Sequence, residues 1–282
     1  MKVFLKYFSG TGNSYKILDT CRHLFIKNGC DVDFSSILKE SEIHPSTGLI
    51  GFCFPVYAFG IPRICRHYLS RMPKFKSPVN AFVLITAGDP EEAGFSVEES
   101  TKILKAKGLN VTYTRVVHMP SNWTVSLNPP QEEEARRIIH NGVKQAEQMV
   151  QDILNRRDHH HPFNYPPRYS RFGFYKDYYL FKWLGISNLW RNFRTDSTCN
   201  ACGLCEKICP TESIQMVDDT PIWSKTCEQC MRCVNYCPKQ AIFQKGQGSI
   251  KGRNVYHEPG FRPLKEKIQD DCSNHVQQTY NI

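Results

Sequence analysis

The segments CNACGLCEKICP (199–210) and CEQCMRCVNYCP (227–238) decide how the C-terminal part of this 282-residue chain folds. Each segment carries four cysteines with the spacing C-x2-C-x2-C-x3-C, and a proline follows the fourth cysteine. The cysteines of the second segment lie 28 positions after those of the first, and Ile214 and Ile242 keep the same offset. The chain therefore contains an internal duplication of a cysteine-rich unit.

The eight cysteines have the spacing of ligands to two iron–sulfur clusters. A cubane needs four inward-pointing thiolates, of which a tight loop supplies three, while the cysteine before proline reaches the other cluster. One predicted [4Fe–4S] cluster is bound by Cys199, Cys202, Cys205 and Cys237. The second is bound by Cys227, Cys230, Cys233 and Cys209. The block resembles bacterial-type two-cluster ferredoxins, which implies electron transfer.

Zinc and disulfides are the alternative uses of these cysteines. Structural zinc sites take two short cysteine pairs or mixed Cys/His sets, and not two four-cysteine runs that end in Cys-Pro. The apolar start of the chain, 1–8, is too short for a signal peptide. We therefore expect a cytoplasmic protein, in which disulfides rarely persist. The sequence contains no run of 18 apolar residues, so it predicts no transmembrane segment.

Composition and charge exclude few function classes. The chain is 40% hydrophobic and 22% charged, as in ordinary globular proteins. Its formal net charge of +9 suits nucleic acid, a membrane surface or an acidic redox partner equally well. No Ser/His/Asp triad or carboxylate pair stands out, so the sequence predicts no hydrolytic site.

The first half of the chain alternates apolar strands with amphipathic helices. This alternation predicts a parallel sheet covered by helices on both faces. The predicted strands span 3–8, 32–37, 49–54, 81–86 and 111–117, and the predicted helices lie near 17–25, 62–72, 97–107 and 135–153.

The loop after the first predicted strand has the composition of an anion site. It reads Ser9, Gly10, Thr11, Gly12, Asn13 and Ser14. It lacks the Gly-Lys-Ser/Thr of a Walker A loop and the third glycine of G-x-G-x-x-G. A loop of this kind at a helix N-terminus offers backbone N–H groups to a phosphate. Without lysine or arginine, dipoles and hydroxyls alone would hold the anion.

This loop resembles the phosphate loop of flavodoxins, a family that binds FMN. The resemblance implies a flavodoxin-like doubly wound sheet of order 2-1-3-4-5. It also implies that two loops after the third and fourth strands flank the flavin ring, with Tyr57 or Phe59 stacked on it. These loops contain Pro55, Val56, Tyr57, Ala58, Phe59 and Gly60, and Ala87, Gly88 and Asp89.

The order of the two units resembles flavodoxin–ferredoxin fusion proteins of anaerobes. We expect an FMN-binding domain at 1–157, an aromatic linker at 158–195, a two-cluster α+β ferredoxin module at 196–246 and a C-terminal tail at 247–282. The resemblance implies electron transfer through FMN and both clusters between protein donors and acceptors. Two alternatives remain open: a flavin enzyme that reduces a quinone or another small substrate, and an iron–sulfur scaffold without flavin.

Several remaining features have a plain interpretation beside a functional one. Aromatic residues between Phe163 and Phe193, including Phe181 and Trp183, are expected to pack the ferredoxin module against the flavodoxin domain rather than lie on a membrane or stack on nucleic acid. His159 to His161 are read as a solvated linker. The other cysteines lack ligand spacing: Cys21, Cys30, Cys53, Cys65 and Cys272.

Overall fold

The computed structural model describes residues 1–44, 46–180, 182 and 188–266. Phe181, Trp183, Cys272 and the predicted tail beyond residue 266 lie outside the described residues.

The N-terminal half is built on a five-stranded sheet. Its strands are β1 (Lys2–Tyr7), β2 (Asp31–Ser36), β3 (Thr47–Pro55), β4 (Val79–Ala87) and β5 (Leu109–His118). All neighbouring strands pair in parallel, in the order β2-β1-β3-β4-β5. The flavodoxin-like doubly wound fold is therefore confirmed. Strand β2 is added on one side of β1 and strands β3 to β5 on the other, so the strand order switches between β1 and β3. Such a switch point leaves a crevice at the carboxyl ends of these two strands.

Four helices cover the two faces of this sheet. They are α1 (Asn13–Lys27), α2 (Arg63–Arg71), α3 (Ser96–Ala106) and α4 (Glu132–Leu154). On β3, Ile50, Phe52 and Phe54 pack in the core on the α2–α3 side, whereas Leu49 and Cys53 pack in the core on the α1–α4 side. A strand buried on both faces must be apolar throughout, which explains the continuous apolar run that predicted it.

The histidine segment is not a solvated linker, as the sequence suggested, but runs along the free edge of β5. The Thr114 N–H donates to His159 O at 2.7 Å, and the His159 N–H donates to Thr112 O at 3.1 Å. The His159 ring stacks on Tyr113 with centroids 5.1 Å apart. An exposed edge strand presents unpaired backbone groups, and this segment satisfies several of them.

The aromatic segment packs differently from the expectation. Helix α5 (Arg171–Leu180) lies on the N-terminal domain, where Phe174 and Tyr178 form a cluster with Phe95 and Phe59. The Phe95 and Phe174 rings are stacked with centroids 5.5 Å apart. This part of the segment therefore covers the sheet domain itself rather than joining it to the cysteine-rich module.

The end of the same segment belongs to the C-terminal core. Strand β6 (Phe193–Thr195) pairs antiparallel with β9 (Ile242–Gln244), and β7 (Ile214–Val217) pairs antiparallel with β8 (Thr220–Trp223). Two short helices, α6 (Leu204–Ile208) and α7 (Arg232–Asn235), follow the first cysteines of each run. Phe193 stacks on Trp223 at 5.3 Å, so the core of this module begins before the predicted boundary at 196.

The chain after β9 fastens the two halves together. The Arg253 guanidinium donates to Thr124 O and Val125 O, each at 2.8 Å. The Glu258 N–H donates to Thr11 O at 2.8 Å, and Phe261 packs in the core beside Tyr15. The Tyr256 N–H donates to Asn235 Oδ1 of the cysteine-rich module at 2.9 Å. Residues 247–266 thus contact both domains, which their polar composition did not indicate.

Candidate functional site

A cavity of about 570 Å³ opens at the carboxyl edge of the sheet. It lies where ligands bind in open α/β folds, beyond the ends of β1, β3 and β4. Its lining residues are Ser9, Gly10, Thr11, Asn13, Pro55, Val56, Tyr57, Ala58, Phe59, Thr86, Ala87, Gly88, Asp89, Glu92, Pro120, Ser121, Asn122, Trp123, Leu127 and Gln229. The structure thus brings the three sequence-predicted loops together around one space.

Three predicted site residues support this cavity without lining it. Gly12 has φ of 112°, and an added Cβ would lie 2.4 Å from the Glu258 side chain. Ser14 Oγ and Thr86 Oγ1 are 2.7 Å apart, which ties the start of α1 to β4. Gly60 faces Glu99 and Tyr178 instead of the cavity. These three positions shape the loops rather than contact a ligand.

The first loop is held so that donors face the cavity. The Gly12 N–H donates to Ser9 Oγ at 2.9 Å, which closes the turn before α1. The first N–H groups of α1, which starts at Asn13, have no acceptor within the helix and carry the positive end of its dipole. The Asn122 amide donates to Thr11 Oγ1 at 3.0 Å and fixes that hydroxyl.

The second loop is a tight turn with a strained backbone. Tyr57 and Gly60 exchange backbone hydrogen bonds at 2.8 and 3.2 Å, and the two residues between them, Ala58 and Phe59, have φ of 50° and 64°. Non-glycine residues rarely adopt this left-handed region, and such strain collects at ligand sites. The turn places Tyr57 and Phe59 at the cavity wall.

Two residues that line the cavity have a buried polar atom with no hydrogen-bond partner in the described part of the chain. Asn13 Oδ1 and Tyr57 Oη are buried and form no hydrogen bond with any residue that the structure describes. Burial raises the pKa of Tyr57, so its hydroxyl stays protonated and able to donate. Buried polar groups without partners are costly, and a bound ligand is one way to satisfy them.

The residues present fit a flavin nucleotide. The cavity volume lies within the range of about 300–1,000 Å³ for cofactor sites. Loop amides and hydroxyls suit a phosphate, and three aromatic side chains suit a ring: Tyr57, Phe59 and Trp123. The first two were predicted from sequence. Trp123 was missed as a ring contact because it follows β5 and enters the cavity only through the fold.

The eight predicted cysteines form two separate groups. One small cavity in the C-terminal module is lined by Cys199, Cys202, Cys205 and Cys237. A second is lined by Cys209, Cys227, Cys230 and Cys233. Each group takes its fourth cysteine from the other run, as the cluster assignment requires.

Burial distinguishes the two groups. All four cysteines of the second group are buried, whereas Cys202 of the first is exposed. Burial raises the pKa of Cys227 to about 11 and that of Cys230 to about 12. Such thiols ionise only beside a positive centre, which an iron core provides.

Zinc and an iron–sulfur cubane require different arrangements of four sulfurs. Among the described residues, no three His, Cys, Asp or Glu side chains are placed to hold a single metal ion. Zinc draws its four sulfurs close, at about 2.3 Å from one ion, whereas a cubane spreads them over four iron atoms.

The hydrogen bonds to the sulfurs of the second group include two from N–H donors. The Ser213 N–H donates to Cys209 Sγ at 3.3 Å, and Gln229 Nε2 donates to Cys227 Sγ at 3.5 Å. Gln229 also lines the large cavity, so this residue belongs to the walls of both the cavity and the second cysteine group.

The comparisons with known proteins agree with this division. Residues 198–242 match the 4Fe-4S dicluster domain family. No curated protein matches the chain in sequence. Within the part of the chain that the structure describes, no helix is long and apolar enough to cross a membrane.

Similar solved structures include three small proteins that the chain covers almost entirely. Oxidised flavodoxin 2 from Bacillus cereus is 14% identical, with 55% of this chain and 99% of that chain covered and a TM-score of 0.41. A flavodoxin from Streptococcus pneumonia TIGR4 is 15% identical, with 54% of this chain and 99% of that chain covered and a TM-score of 0.37. The Trp repressor binding protein from Bacillus subtilis is 14% identical, with 56% of this chain and 100% of that chain covered and a TM-score of 0.36. These scores are low, so the fold assignment rests on strand order. The chain therefore combines a flavodoxin-like α/β domain with a C-terminal 4Fe–4S domain.

Proposed function

We propose that this protein carries electrons between protein redox partners, with FMN in the large cavity and a [4Fe–4S] cluster on each cysteine group. One observation carries the proposal: Gln229 lines both the cavity and the second cysteine group. A flavin site and a cluster site that share a wall are arranged for electron exchange within one chain. Reduced thiols fit the cytoplasm, where we place the protein.

The proposed role of the cavity residues is to bind and orient FMN. The loop at 9–14 would hold the phosphate through its amides and hydroxyls. Tyr57, Phe59 and Trp123 would enclose the ring and exclude water. FMN supplies the exchange between two-electron and one-electron chemistry.

The two cysteine groups have different proposed roles. The second group is buried against the flavodoxin-like domain and shares Gln229 with the cavity. The first group carries the exposed Cys202 and lies on the solvent side of the module. We therefore place the cluster on the second group next to the flavin, and the cluster on the first group next to an external protein partner.

Anaerobic purification of the full chain tests the composition. We expect about eight iron and eight sulfide ions and one FMN per chain. A dithionite titration should then consume about four electrons, two for FMN and one for each cluster. After FMN is removed, uptake should fall to about two electrons, with the iron content unchanged.

The same preparation separates the alternatives. Sustained oxidation of NADH or NADPH, or turnover with quinones, would favour a flavin enzyme over a carrier. Iron without flavin, even after FMN is added, would refute the flavin site and leave the scaffold interpretation.

A further inference from the structure

Arg232 crosses from the second cysteine group into the flavodoxin-like domain. It lies between Cys230 and Cys233 and is completely buried. Its guanidinium donates to Ser9 O at 2.6 Å and to Gly10 O at 3.0 Å, both in the first loop of the cavity. It also donates to Ile208 O at 3.0 Å and to Glu266 Oε2 at 2.6 Å. Its donors are thus divided between the cluster module and the loop.

The two loop carbonyls that Arg232 binds set the direction of two loop amides. In a planar trans peptide the C=O and the following N–H point in opposite directions. Because Ser9 O and Gly10 O face Arg232, the N–H groups of Gly10 and Thr11 face away from it. Both residues line the cavity, so these amides would be available to a ligand bound there.

Electrostatics also favours anion binding by the Gly10 and Thr11 amides when Arg232 is in place. Among the described residues that line the cavity none is Lys or Arg, while Asp89 and Glu92 are acidic. A cation bound to a carbonyl polarises the peptide and makes its N–H a stronger donor, and this effect is large at low dielectric. Glu266 balances the charge of Arg232 at 2.6 Å. Arg232 would therefore act on the loop through the hydrogen bonds that polarise its two peptide groups, and not through a net positive charge.

The position of Arg232 is fixed by the surrounding backbone. In the cysteine loop just before Arg232, Gln229 and Met231 adopt left-handed backbone conformations with φ of 56° and 58°. An added Cβ on Gly10 would lie only 2.4 Å from Cys230 O, so the cysteine loop and the cavity loop are in direct contact. The first loop is thus completed by a residue from the other domain.

We propose that Arg232 is a positioning residue for the phosphate of the flavin nucleotide, acting through the Gly10 and Thr11 amides. This inference rests on the proposed FMN site. It predicts an effect on FMN that riboflavin, which lacks the phosphate, does not share.

The test measures FMN and riboflavin dissociation constants by flavin fluorescence quenching, in the full chain with iron retained and flavin removed. Arg232→Met should weaken FMN at least about 10-fold, equivalent to about 1.4 kcal/mol, and change riboflavin less than about 3-fold. Arg232→Lys keeps the charge with fewer donors, and should recover part of the loss. Arg115→Lys is the matched control, since Arg115 contacts Gln145 O on the α4 side and does not line the cavity.

The outcomes separate this inference from the proposed function. Equal losses of FMN and riboflavin, or unchanged FMN binding in Arg232→Met, would overturn the positioning role. If Arg232→Met fails to fold, a selective loss of FMN in Arg232→Lys still supports the role, and unchanged binding in that variant refutes it. Wild-type protein without FMN affinity would instead refute the proposed function, and the positioning role with it.

Discussion

Replacing Gly10 with alanine should force the cavity loop and the cysteine loop apart. The new Cβ would lie 2.4 Å from Cys230 O and 2.8 Å from Tyr57 Oη. A close C···O contact is about 3.3 Å, so the Cys230 carbonyl must move by about 0.9 Å. Backbone atoms in a cluster-binding loop yield less easily than the end of a flexible side chain.

We expect a loss of about 1–3 kcal/mol, which is typical of overpacking in a close-packed core. Anaerobic urea denaturation of the full chain measures this loss, and FMN affinity should fall in parallel because Gly10 lines the cavity. Gly48→Ala is the matched control. An added Cβ there meets the Met1 side chain at 3.3 Å as its nearest contact, so stability should change little.

A different result would contradict the described docking of the two domains. If Gly10→Ala matches the wild type in both stability and FMN affinity, the loop at Gly10 does not lie against Cys230. A loss of stability with unchanged FMN affinity would keep the contact but remove Gly10 from the phosphate site.

Three further predictions concern a buried charge, the cluster ligands and a sulfur contact. Burial lowers the pKa of Lys6 from 10.5 to about 8. Between these values Lys6 binds more protons in the unfolded chain, so its own contribution to the free energy of unfolding should rise with pH from 8 to 10. Buried thiols such as Cys21, whose pKa burial raises, contribute in the opposite direction. The test is therefore the difference in free energy of unfolding between wild type and Lys6→Met in anaerobic urea denaturation, which should rise over this pH range. Cys209→Ser should remove the second cluster and reduce the iron content from about eight to about four per chain. Cys21→Ala is the control, because Cys21 is a buried thiol outside both groups, and it should keep the full iron content. An unaltered iron content in Cys209→Ser would show that the ligand assignment is wrong. Gln229→Leu removes the donor to Cys227 Sγ and should lower the midpoint potential of the second cluster, because N–H···S bonds stabilise its reduced state. An EPR-monitored titration that gave an unchanged potential would exclude this contact.

Local patterns were sufficient for the fold of each half. The run at 49–54 identified a central strand because burial on both faces demands apolar side chains throughout. The cysteine spacing identified the metal-binding module because a tight loop has to aim three thiolates at one core. Both signals come from residues that are near neighbours in the chain.

Some assignments failed because the partner of a segment is distant in sequence. His159 looks like part of a polar linker, yet its backbone pairs with the edge of β5. Phe174 was expected at the interface between domains, but packs on Phe95 and Phe59 of the sheet domain. Composition shows that such residues are polar or aromatic, and does not show which surface they meet.

The sequence by itself determined the parallel α/β sheet, the anion-type loop at 9–14 and the two cysteine runs, since each depends on periodicity or spacing within a short segment. Only the tertiary structure decided that Trp123 and Gln229 enter the cavity and that Arg232 binds Gly10, 222 positions away. The physical reason is that these contacts arise when two domains dock and bury polar groups against each other. No local pattern records which carbonyl a buried guanidinium will reach.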